Sequence, residues 1–170
     1  NIRPDSYWMN TIMHELGHGV YSYYNDRSLP FAIRDAAHTF TTEAVANFFG
    51  RYATDPAWMH FMGVIDEKEA ERINEEAFNA FRLQQLVFSR WAQVMYRFEK
   101  AMYENPDQDL NQLWWDMVEK YQMMKKPAGR DMPDWATKIH VALYPCYYHN
   151  YLLGELLASQ FSAFITNSVV

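Results

Sequence analysis

His14-Glu15-Leu16-Gly17-His18 sets two imidazoles four residues apart, with a carboxylate between them. On a helix that spacing is one turn, so both rings face one side and can reach a single metal ion. Glu15 lies about 100° round the helix from His14. It is thereby held off the metal but beside the open fourth position of a hydrolytic zinc site, where it can take a proton from water. Such a site uses three protein ligands, so one more must arrive from elsewhere. Glu43 is the candidate, because it begins the helix after the next loop and an antiparallel return lays its carboxylate against the histidine face.

His38, in the loop before Glu43, is the alternative third ligand. A further histidine shortly after His18 would mark the metzincin pattern, and Gly19-Val20-Tyr21-Ser22 does not supply it. Asn47, one turn past Glu43, can hydrogen-bond a ligand from behind or can stand as an ordinary solvated helix position. A second cluster, Lys138-Ile139-His140 followed by Tyr147-Tyr148-His149-Asn150-Tyr151, offers a cation, imidazoles and phenols. Hydrolysis of an amide builds negative charge on the former carbonyl oxygen, and a tyrosine hydroxyl with a histidine are suitable donors to it. Aromatic residues at helical spacing also serve as packing, and the cluster alone does not decide between the two.

The elements that must hold these residues read as helices. Asp5 or Ser6 caps one that starts after Pro4 and runs toward Asn25, carrying the paired histidines. Thr39, Thr41 or Thr42 caps a second, with Glu43, Val45, Ala46, Phe49 and Tyr52. Asp55-Pro56 opens a short third. From Asp66 to about Glu104 there is neither proline nor glycine, which suits one long helix or two abutting ones, ended by Asn105-Pro106. The acidic run at its start is a solvated helix N-terminus. Asp109 caps the next helix, the stretch 125–133 is a loop, and a last helix spans about Pro145 to Ile165. With no alternating segment and no internal repeat, the fold class is all-α.

A net charge of -6 and a pI near 5.5 leave no basic stripe for nucleic acid. A single cysteine, Cys146, allows no internal disulfide. No run of apolar residues is long enough to span a bilayer, and no secretory leader opens the chain. Aromatics at 17% and ten methionines supply more adhesive surface than a free-standing domain of this size needs. Residues 1–170 therefore read as a single zincin-like catalytic region within a larger catalytic domain, with self-association through the exposed aromatic surface as a possible state.

The ordered set of motifs resembles the C-terminal catalytic portion of the angiotensin-converting-enzyme family of zinc peptidyl dipeptidases. It is similar, more distantly, to the thimet and oligoendopeptidase families. The resemblance runs from the paired histidines through Glu43-Ala44, Trp114-Trp115 with Lys120-Tyr121-Gln122, and Lys138-Ile139-His140. It ends in Tyr151-Leu152-Leu153-Gly154 with Gln160-Phe161, so nearly the whole chain takes part. It implies one Zn2+ per chain on His14, His18 and Glu43, with Glu15 as the base and an oligopeptide as the substrate. It also implies that Tyr151 stabilises the oxyanion, that His140 assists at the substrate backbone, and that Lys138 and Tyr148 grip the terminal carboxylate. A cation some 7 Å beyond the scissile bond measures off two extended residues, which sets a dipeptide product.

Three positions depart from the family pattern. His140 to Tyr151 is one residue longer, so Tyr147 is an alternative to Tyr148. Asn150 stands where an arginine helps bind chloride, so chloride is not expected, and Asn47 stands where an aspartate orients a histidine. The competing readings are an oligoendopeptidase indifferent to the C-terminus and an inactive zinc-binding fragment that self-associates.

Overall fold

The computed structural model describes residues 2–168, and among these it is all-α; Asn1, Val169 and Val170, the ends of the region read as 1–170, lie outside the described residues. Seven α-helices follow in order: α1 (Ser6–Tyr23), α2 (Thr39–Arg51), α3 (Pro56–Phe61), α4 (Glu67–Glu104), α5 (Leu110–Gln122), α6 (Ile139–Ala142) and α7 (His149–Ser168). The chain divides into two compact units. The first holds residues 1–82 and 153–170, the second 83–152, and the divisions fall inside α4 and α7.

Local chemistry explains most boundaries. Aspartate oxygens accept from orphan backbone amides at four helix starts: Asp5 from Trp8, Asp55 from Trp58, Asp66 from Glu69 and Asp109 from Gln112. Each such cap contributes about 1 kcal/mol. At α2 the cap is not one of the expected threonines. His38 takes that position, its Nδ1 accepting from the Phe40 amide at 3.3 Å. The stretch read as one helix or two forms a single helix, Glu67–Glu104.

The C-terminal region differs from expectation. Lys138 precedes a separate single turn, α6, and the last helix begins at His149 instead of Pro145. The break is enforced by Cys146, whose φ of 56° is left-handed and cannot continue a right-handed helix. The buried Glu99 carboxylate fixes that turn by accepting from the Cys146 amide at 2.6 Å.

The units are packed by different means. In the first, the buried hydrophobic residues are all alanines: Ala44, Ala46, Ala53, Ala70 and Ala158. Small residues let helix backbones come close. On α1, positions 10, 17 and 18 meet positions 50, 46 and 42 of α2, so the two helices run antiparallel. At the closest point a Cβ on Gly17 would stand 2.6 Å from Ala46 Cα. On the other side of α2, a Cβ on Gly154 of α7 would stand 2.9 Å from Glu43 Cβ. Arg51, at the end of α2, donates to the Glu155 carboxylate at 2.7 Å and to the Glu155 carbonyl and Ser159 hydroxyl at 2.9 Å.

The second unit is held by large side chains. Val94, Met95, Phe98, Trp114, Val118 and Val141 form its core. Trp114 meets Phe98 and Trp91 edge-on, with centroids 5.2 and 5.9 Å apart, the arrangement that ring quadrupoles favour.

Candidate metal centre

The crossing of α1 and α2 brings three donors to one place. His14 Nε2 and His18 Nε2 are 3.2 Å apart, and Glu43 Oε2 is 3.5 Å from the first and 3.8 Å from the second. A point equidistant from three atoms at those separations lies about 2.0 Å from each, which is the length of a Zn–N or Zn–O bond. Two imidazoles and one carboxylate are the donor set of a hydrolytic zinc site. The residues present therefore fit that ion. Among the described residues no other set of three histidine, cysteine or carboxylate groups converges in this way.

The His14 ring has a lone pair to offer. Burial holds the His14 imidazole below its ordinary pKa, and the neighbouring His18 acts in the same direction, against the opposing pull of the Glu43 and Glu15 carboxylates. A neutral imidazole is the form that binds metal. Glu43 is 2% exposed, and its helix is flanked by the glycine contacts described above. Glu15 is exposed on α1 and close enough to His14 to act on it electrostatically.

Residues of α2 approach both imidazoles. The Asn47 side chain lies near enough to His14 to favour its protonated form. His18 Nδ1 lies 2.7 Å from the Thr42 hydroxyl. Position 42 has a function in the geometry that sequence reasoning did not assign, having treated this threonine only as a cap candidate. Its spacing from Glu43 carried no signal, because the contact exists only once α1 and α2 cross. His38, the alternative ligand, is engaged at the start of α2 instead of joining the three donors.

The other cluster lies within the second unit. His140 Nε2 is 3.0 Å from Tyr151 Oη. Tyr147 stacks against His140 at 6.0 Å, with the ring planes 29° apart. Tyr148 accepts from the Trp91 indole N–H at 2.7 Å, and burial raises its phenol pKa above the usual value. The Lys138 ammonium sits over the faces of Trp91 and Trp114, 5.5 and 5.8 Å from their centroids. Asn150 is buried.

Comparison with known proteins gives a consistent result. The profile of the peptidase family described as angiotensin-converting enzyme matches residues 3–168. Angiotensin-converting enzyme from Rattus norvegicus is 24% identical over 159 residues, which cover 90% of this chain. The chain spans 12% of the length of that relative. No solved structure matches.

Proposed function

This chain belongs to the angiotensin-converting enzyme family of peptidases, and from that premise we propose that it carries the zinc centre of a metallopeptidase that releases C-terminal dipeptides from oligopeptides. The family is one of zinc-dependent metallopeptidases. The observation that carries the reading is the convergence of His14, His18 and Glu43 at separations that suit one divalent ion, with Glu15 next to His14 on the same helix.

His14, His18 and Glu43 would hold the ion. Zinc, when bound, acidifies water and polarises a substrate carbonyl. Glu15 takes the proton of the attacking water and then delivers it to the departing amine, one carboxylate serving as base and then as acid. Thr42, at His18 Nδ1, would orient that ring and leave its Nε2 for the ion, and Asn47, beside His14, would play the same part for the other ring. The resemblance of the motifs to that family supports the remaining roles. The Tyr151 hydroxyl donates to the oxyanion, His140 donates at the substrate backbone, and Lys138 and Tyr148 bind the terminal carboxylate.

In the intact protein, Glu15→Gln should leave zinc stoichiometry unchanged and lower kcat by at least about a hundredfold. Undiminished hydrolysis by that variant would remove Glu15 from the mechanism. Amidating the C-terminus of a test peptide separates the dipeptidase from an endopeptidase. A marked fall in kcat/KM on amidation supports the former, and equal cleavage of both forms refutes it.

A further inference from the structure

Two side chains assigned to a peptide's terminal carboxylate share one partner. Trp91, on α4, donates its indole N–H to Tyr148 Oη at 2.7 Å, and the face of the same indole lies 5.5 Å from the Lys138 ammonium. Both contacts fall inside the second unit.

Each contact has a directional consequence. A phenol has one proton and two acceptor lone pairs. The Trp91 N–H occupies the acceptor side, so the Tyr148 O–H is left to donate, which is what a carboxylate requires. Burial, by raising the Tyr148 pKa, keeps that proton in place at neutral pH. Lys138 is a flexible point charge on a four-carbon stem. A carboxylate partner would localise it but neutralise it, whereas an indole face localises it and leaves the charge available. Asp134 acts electrostatically on Lys138 as well, but its carboxylate is paired with Arg130. Tyr147, the other candidate for the carboxylate, lies against His140 instead of Trp91.

We propose that Trp91 is a positioning residue for recognition of a free peptide C-terminus, one indole setting both the donor direction of Tyr148 and the location of the Lys138 charge. This rests on the reading that Lys138 and Tyr148 hold that carboxylate.

The test uses the intact protein and one peptide in two forms, free acid and C-terminal amide, with KM and kcat measured separately. Trp91→Phe keeps an aromatic ring and removes the N–H. It should raise KM for the acid about tenfold, the worth of one lost hydrogen bond to a charge-binding group, while kcat and the amide's kinetics hold. Because Trp91 acts through Tyr148, the double variant Trp91→Phe/Tyr148→Phe should be only slightly worse than Tyr148→Phe alone. A purely structural role would add in full. Lys138→Ala is the control for the underlying reading and should abolish the preference for the acid. If it does not, the carboxylate assignment fails. If it does, and Trp91→Phe leaves the acid's KM unchanged or raises both peptides equally, the inference about Trp91 fails and the assignment stands.

Discussion

Adding one methyl group to α1 at Gly17 should disturb the metal centre, whereas the same methyl two residues later should not. A Cβ on Gly17 meets Ala46 Cα at 2.6 Å, Val45 O at 3.1 Å and Ala46 N at 3.2 Å. These are backbone atoms of α2 and cannot rotate away. Ordinary contact begins at 3.4 Å, so α1 and α2 must separate locally by about 0.8 Å. Overpacking of this kind costs roughly 1–3 kcal/mol, against roughly 0.5–1 kcal/mol recovered from alanine's better helix propensity. His18 adjoins the clash, and its ring must stay near 3.8 Å from Glu43 Oε2 for one ion to span both. Zinc bonds tolerate about 0.2 Å, so a separation of that size takes one donor out of reach.

Gly19, on the same helix, has nothing within 4 Å of a built Cβ. Gly19→Ala should be neutral or stabilising by up to roughly 1 kcal/mol. Urea unfolding of the metal-free protein measures the stability difference, and titration in a zinc-buffered solution measures affinity. Gly17→Ala should lose both stability and at least about tenfold in zinc affinity, while Gly19→Ala should lose neither. Equal behaviour of the two variants would refute the claim that backbone contact between α1 and α2 places the donors.

Other consequences follow from individual contacts. Thr42→Val removes the hydroxyl at His18 Nδ1 with little change of shape; zinc affinity should fall about 10- to 100-fold, and Thr42→Ser should restore it. An unchanged affinity in the valine variant would show that His18 needs no such partner. Arg51→Met strands the Glu155 carboxylate and should lower unfolding stability by about 1–3 kcal/mol, more than Glu155→Gln, which leaves the Glu155 carbonyl and Ser159 as acceptors. Burial raises the Tyr148 pKa in the folded protein, so its effect on stability is absent below the unfolded value of about 10 and stability is lost as pH rises from there toward the folded value. Near-ultraviolet titration should find a late-ionising set of phenols that includes Tyr148 with Tyr52 and Tyr103, and Tyr148→Phe should shrink that late step by one phenol.

The helices were legible wherever their boundaries are set by neighbours in sequence. Asp5, Asp55, Asp66 and Asp109 each precede an apolar-periodic run, and each caps it. The paired histidines and Glu43 could be singled out because metal chemistry restricts residue type and spacing so tightly. What depended on helices meeting was not visible. Nothing around Gly17 announces that it faces Ala46, and Thr42 reads as a cap until α1 lies across it. His38 was passed over as a cap because imidazole is an uncommon residue there. The break at Cys146 had no marker either, since a left-handed backbone at a residue other than glycine or asparagine is imposed by its surroundings, here the buried Glu99 carboxylate.

Gly154 has an outcome of its own. Its bare α-carbon fits against the base of the Glu43 side chain, with Ala44 N also 3.2 Å from where a methyl would project. The acid is therefore seated by missing atoms as much as by present ones, and no second substitution nearby can make room without displacing main chain. A saturation library at this codon, selected for folded protein that retains zinc, should return the parental amino acid alone, whereas one at position 19 should return many. Recovery of serine or alanine at 154 with undiminished affinity would mean the neighbouring helix yields more easily than its packing suggests.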